Sequence, residues 1–197
     1  NFDPAVGFVN QTDIEDHGLD ASYTHFLAPG GFVRAFTGYF DSYKSLSLED
    51  GDSITDVKTL RFAFISNTGD LLFGRFINNK ENLRNDFTIF RASDSARTVV
   101  IPAGIYSFRE TLIGITLGSQ RVLSGRLDRR WGDYFDGERD RILVNASWRP
   151  NRNFQITTQY TQNKIELPQG NFTTRLFSID TQITFSATLS WANLIQY

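Results

Sequence analysis

The 197-residue chain is predicted to be all-β, an antiparallel up-and-down sheet of about ten strands, and three observations carry that reading. Phenylalanine contributes 18 residues and aromatics 14% of the chain, yet the mean hydropathy is −0.30. So many rings within a polar average require apolar and polar residues to be interleaved one by one, which is the period of a strand. That alternation is directly visible in several segments, while helical periodicity is hard to find anywhere. The connections, finally, alternate between short and long along the chain.

Taken in order, strands are predicted at 19–27, 32–43, 57–65, 70–77, 104–117, 121–131, 140–148, 153–163, 172–184 and 188–197. In the first, Ala21, Tyr23, His25 and Leu27 oppose Ser22, Thr24 and Phe26. The phase is less clean over 71–77 and 105–117, where both faces carry apolar residues. In the strand 121–131, Arg126, Asp128 and Arg130 share a face opposite Leu123, Gly125, Leu127 and Trp131. Ile142, Val144, Ala146 and Trp148 then oppose Leu143, Asn145 and Ser147. Phe154, Ile156, Thr158 and Tyr160 oppose Gln155, Thr157, Gln159 and Thr161. Phe177, Ile179, Thr181, Ile183 and Phe185 oppose Leu176, Ser178, Asp180, Gln182 and Thr184.

Tight turns are predicted at APGG (28–31), SNTGD (66–70), LGSQ (117–120), RPNRN (149–153) and FSAT (185–188), most of them carrying glycine, proline or asparagine. Longer polar links fall at 44–56, 78–103, 132–140 and 163–171. Residues 1–18 read as a lead-in and 19–197 as the barrel region. Strands of about 9–13 residues match a tilted membrane crossing, whereas sandwich strands run nearer five or six. Short turns at one end and long loops at the other, with one apolar and one wet face, describe a transmembrane β-barrel or a roughly ten-strand arc of a larger one. Trp131, Trp148, Tyr160, Trp191 and Tyr197 lie near predicted strand ends, where interfacial aromatic girdles sit.

Composition excludes several functions. A net charge of −2 and a pI near 5.7 leave no basic stripe for nucleic acid. The absence of cysteine rules out thiol catalysis, disulfides and cysteine-based metal sites. No apolar run approaches the ~18 residues of a membrane helix, and the opening NFDPAVGF has no signal peptide, so a mature or excised segment is expected.

Chemistry-bearing clusters are few. GDYFDGERD (132–140) offers calcium candidates in Asp133, Asp136 and Glu138, but lacks the Asp-x-Asp-x-Asp-Gly spacing and has Arg139 and Arg141 to neutralise it. Glu49, Asp50, Asp52 and Asp56 are similarly acidic, and both stretches read as solvated loops. His17 and His25 are the only histidines; His25 falls on the face of Tyr23 and Leu27, which argues against catalysis. Neither G-x-S-x-G nor H-E-x-x-H occurs. Arg126, Asp128 and Arg130, with Gln155, Thr157 and Gln159, are the expected lumen-lining residues, and Arg129 on the opposite face is tolerable only near an interface. The sequons at Asn10, Asn145 and Asn171 carry no argument.

GDYFDGERD, SWRPNRN, YTQNKIELPQGNF and SWANLIQY, with DPAVGFVNQTDI near the start and IPAGIYSF in the middle, resemble the C-terminal β-barrel domain, of unknown function, of large bacterial outer-membrane proteins. Those proteins carry an N-terminal module like the family-nine carbohydrate-binding domains. The resemblance implies a Gram-negative outer-membrane location, a barrel longer than this chain, and continuation beyond SWANLIQY, so that Tyr197 would not be a natural terminus. It supplies no sugar site and no catalytic residue.

The expectation is therefore a non-enzymatic pore or surface platform, without cofactors or nucleic acid. Its partners would be the bilayer and lipopolysaccharide, with other outer-membrane subunits and a carbohydrate ligand as further expectations. Two other classes compete: a soluble secreted β-sandwich binding carbohydrate through Trp131, Tyr134 and Phe135, and an outer-membrane hydrolase using an acidic pair or His25.

Overall fold

The computed structural model describes residues 13–92 and 98–197; the opening stretch 3–12 that enters the family resemblance, with Asn10, lies outside them. The strands are β1 (Ile14–Phe26), β2 (Val33–Ser47), β3 (Ser53–Ser66), β4 (Leu71–Leu83), β5 (Phe87–Arg91), β6 (Thr98–Ile101), β7 (Gly104–Leu117), β8 (Leu123–Tyr134), β9 (Gly137–Asn151), β10 (Phe154–Leu167), β11 (Gly170–Thr184) and β12 (Ser190–Gln196). Ten of them form one sheet in the order β1-β2-β3-β4-β7-β8-β9-β10-β11-β12, every neighbouring pair antiparallel. The sheet is open, because β1 and β12 do not pair. β5 and β6 form a separate two-stranded hairpin inserted between β4 and β7. A single up-and-down sheet of this kind is not the pair of facing sheets that a sandwich requires, so the sandwich expectation is corrected.

The predicted order and the five tight turns are found; the strand lengths are not. β1 starts at Ile14, inside the expected lead-in. The link 44–56 shrinks to residues 48–52 between β2 and β3. GDYFDGERD is not a loop: β8 runs on to Tyr134, β9 starts at Gly137, and only Phe135 and Asp136 turn the chain. Likewise β10 and β11 run through 163–171 and leave Pro168 and Gln169 as the turn. Two local features permit the first of these hairpins. Gly132 adopts φ +140°, and a Cβ there would collide with the carbonyl oxygen of Arg109. Phe135 sits at φ +54°, a conformation costing a bulky residue roughly 1–2 kcal/mol. Its ring offsets that cost by packing on Tyr106, Phe108 and Tyr134 at centroid distances of 4.9–5.3 Å.

The two faces of the sheet differ sharply. On one face Ala35 (1% exposed), Thr37, Leu112 and Asp128 are buried. On the other Phe40, Leu60, Phe76, Ile113 and Leu127 (51% exposed) stand free. In a sheet one layer thick, side chains of one face bury one another only where the sheet curls toward that face. We call the crowded face inner and the splayed face outer.

The β5–β6 hairpin is seated on the inner face, at the end of the strands opposite the five tight turns. Val99 and Ile101 (0% exposed) pack with Ile165, Leu167 and Phe172, and Tyr106, Tyr134 and Phe135 close around them. Phe90 stacks on Phe172 at 4.5 Å between centroids. A second, smaller cluster of Ala63, Phe73 and Leu112 lies on the same face toward the tight turns.

Candidate functional site

The inner face concentrates the buried charge of the molecule. One rung crosses the sheet at right angles to the strands through Tyr39, Arg61, Arg75, Leu112, Arg130, Arg141 and Asn163, each opposite the next. Four of these seven are arginines. The acids sit on flanking rungs: Asp41 and Glu110 on one side, Asp128 on the other.

Each acid is gripped by an arginine. Arg61 Nε donates to Asp41 Oδ2 at 2.7 Å while its guanidinium lies 5.2 Å over Tyr39. Arg126 Nε donates to Asp128 Oδ2 at 2.6 Å and stacks 4.7 Å over Phe73. The side chain of Glu110 is fully buried and takes two arginines: Arg139 Nε donates to Oε1 at 2.7 Å, and Arg130 donates to Oε2. Arg75 and Arg141 are half-buried on this face, and among the described residues neither holds a carboxylate. Planar guanidinium groups held in fixed forks can present donors to a passing or bound polar solute without rearranging.

Every lumen-lining candidate from the sequence lies on this face. Arg126, Asp128 and Arg130 come from β8, and Gln155, Thr157 and Gln159 from β10, where Gln155 donates to Thr157 at 3.2 Å. Sequence reasoning missed Asp41, Arg61, Arg75, Glu110, Arg139 and Arg141. The signal was present in β3 and β4: Arg61 and Arg75 are single cations inside the apolar runs LRFAF and LLFGRF, where only a wet face accommodates them.

The outer face carries Trp131, Trp148, Tyr160 and Trp191, with Tyr197 hydrogen-bonded through its backbone to Phe177. Trp148 and Trp191 lie at the tight-turn end, and Trp148 packs edge-on against Phe154. Trp131 is no strand end, since β8 continues three residues past it. Arg129 shares this face but is paired with Asp140 at 2.7 Å and lies 5.4 Å over the Trp131 ring. His25 stands opposite Phe36, among the outward aromatics. Tyr134 and Phe135 are half-buried in the aromatic cluster beside the hairpin and present no free platform for a sugar. The calcium candidates are not brought together. Asp136 accepts from Gln169 at 2.6 Å, while Asp133 and Glu138 face one another across β8 and β9. Among the described residues no group of three metal-ligating side chains converges.

At the opposite end Asp70 ties two tight turns together. It accepts from Arg121 at 2.7 Å, from the Gly118 amide at 2.9 Å and from the Thr68 hydroxyl at 2.9 Å. The Arg121 guanidinium, and after it the Gly118 amide, hold the Asp70 carboxyl well below the usual carboxylate range. A carboxylate lowered in the folded state contributes its stability above the unfolded value, about 4, and loses it as pH falls through the folded value. The stability difference between wild type and Asp70→Asn is therefore expected to stay flat from pH 7 to about 4 and to shrink only in stronger acid. Denaturant titrations at several pH values check this, and a difference already shrinking between about pH 7 and 5 would count against the clamp.

Comparison with family models, with curated proteins and with solved structures returns no match to this chain.

Proposed function

We propose that this sheet is the wall of a bacterial outer-membrane β-barrel, a ten-strand arc whose outer face meets lipid and whose inner face lines an aqueous interior. The observation that carries the reading is the outer face itself. Phe36, Phe40, Leu60, Phe62, Phe64, Leu72, Phe76, Ile113, Ile115, Leu127, Val144 and Ile179 form a continuous apolar band on which none of the other described elements packs. Solvent-exposed apolar area of that extent is far beyond what a soluble monomer carries. Along β8 the band runs from Leu123 to Trp131, roughly 26 Å of strand and roughly 20 Å of height at the usual tilt. That is near the thickness of the outer-membrane hydrocarbon. Outward ion pairs gather at the loop end of the band: Lys58 with Asp56 lies beyond it, Lys164 with Glu166 at its edge, and Arg129, paired with Asp140, one rung inside it.

The two edge strands, β1 and β12, present unpaired backbone groups, which hydrocarbon does not tolerate. In the membrane further strands therefore continue the sheet on either side, as the family resemblance also implies. The role is passive: the inner polar residues set what binds or passes, and the β5–β6 hairpin narrows the interior at the loop end. Carbohydrate or nutrient handling is the ligand class to which the resemblance points. The test is membrane fractionation of cells producing the chain with an outer-membrane leader. Recovery in the outer-membrane fraction, resistant to carbonate wash and released by detergent, is the expected result. A compact monomer in detergent-free buffer would overturn the proposal.

A further inference from the structure

Arg75 lies mid-strand in β4, on the inner rung directly opposite Arg61. Its cationic neighbours are Arg61 and Arg126, and its anionic ones Asp41 and Asp128. Both acids are already engaged, Asp41 by Arg61 and Asp128 by Arg126. Asp20, the third acid of this group, lies against Asp41 on the far side from Arg75, so among the described residues no carboxylate is paired with Arg75 itself. Oδ1 of Asp128 is buried without a partner and screens the cluster, but it does not cap Arg75. The three arginines line a hollow of about 220 Å³ that Tyr39 and Phe73 also border. Tyr39 and Phe73 hold Arg61 and Arg126 by their ring faces, so both cations are pre-positioned around the one that is free.

A half-buried cation between two others of its own sign is unfavourable unless something negative joins it. A guanidinium fork matches the paired oxygens of phosphate or carboxylate. We infer that Arg75, flanked by Arg61 and Arg126, forms a binding site on the inner face for a small solute bearing phosphate or carboxylate groups. The inference rests on the reading of this face as the water-filled side of a membrane wall. Within that reading it specifies the charge class of the solute.

The test is isothermal titration of the detergent-solubilised chain with pyrophosphate and, separately, with citrate at low ionic strength, where exposed charges are least screened. Binding of either probe that weakens at least tenfold in Arg75→Gln, but not in the outward-facing Arg175→Gln, is the expected result, and the probe that binds names the group. No binding of either probe overturns the inference, as does equal affinity in Arg75→Gln and wild type or an equal loss in Arg175→Gln. Melting of the same samples supplies a second criterion. Removing a cation that lacks a partner leaves the melting temperature unchanged or raises it, whereas a lowered one would make Arg75 a structural counterion of Asp128 and overturn the site. Partition of these preparations between buffer and detergent reports on the membrane wall separately, so the two failures are distinguishable.

Discussion

Ile101→Asp is expected to release the β5–β6 hairpin from the sheet while leaving the ten-strand ladder intact. Ile101 is completely enclosed, in a cluster that joins the hairpin to residues of β10 and β11 far along the chain. Loss of a buried isoleucine side chain alone costs about 2–5 kcal/mol. A carboxylate in its place puts a charge among the apolar side chains of Val99, Ile165, Leu167 and Phe172, while Arg139, opposite Ile165, is already engaged by Glu110. Among the described residues the hairpin's further anchors include the Phe90–Phe172 stack and the packing of Ile89, and the Ala103 amide donates to Asp86 at 2.9 Å at its base. None compensates for a buried charge, so undocking is the cheaper response. The sheet, held by its own antiparallel ladders, does not depend on the hairpin. Limited trypsin digestion reads the outcome at Arg91: resistant in wild type, rapidly cleaved in the variant, with the rest of the chain protected. Phe87→Asp places the same charge at a half-exposed position of the hairpin and should stay resistant. If Ile101→Asp is as resistant as wild type, the hairpin is not held by this cluster.

How far the sequence revealed this arrangement depends on what alternation records. Period-two hydropathy reports a difference between two faces, not backbone pairing. Along the apolar band that difference is large, and Phe154 to Tyr160 or Phe177 to Ile183 could be assigned to one face without ambiguity. Beyond the band the outer face turns polar, and the apolar residues that remain, such as Ile165, Leu167 and Phe172, lie on the inner face beneath the hairpin. At that end the outer side carries Lys44, Lys58, Lys80, Glu138, Asp140, Lys164 and Glu166, so the apolar phase set along the band is lost while the hydrogen-bonded ladder continues. That is why 132–140 and 163–171 read as loops and are hairpins. The β5–β6 hairpin was illegible for another reason. Its strands are four and five residues long, and the side chains that bury them lie some 60 residues onward, at Ile165, Leu167 and Phe172. The arginine rung was half legible. Arg126, Asp128 and Arg130 share a face by simple alternation, but their alignment with Arg61, Arg75 and Arg141 depends on the register of four strand pairs, which no single segment encodes.

Glu110→Gln is the second change with a large expected effect, about 3–5 kcal/mol of lost stability. The carboxylate is inaccessible to water, and its two arginines are themselves only 25% and 16% exposed, so solvent screens the triad poorly. With the charge removed, Arg130 and Arg139 face each other across a neutral amide that has one acceptor oxygen where the carboxylate had two. Arg130 already has a buried Nε without a partner, and Arg141 lies opposite it on the next strand and adds to the local positive field. Urea titration in detergent should show the midpoint fall without a change in slope. Adding Arg139→Gln to the variant removes one of the two uncompensated cations and should restore part of the loss, since the second substitution relieves what the first created. A Glu110→Gln variant within about 1 kcal/mol of wild type would mean that the guanidiniums are neutralised from elsewhere, for example by an anion drawn from solution onto the inner face. In that event the stability of Glu110→Gln should rise with added pyrophosphate while that of the wild type does not. The same triad would then extend the anion-binding surface from Arg75 toward the hairpin.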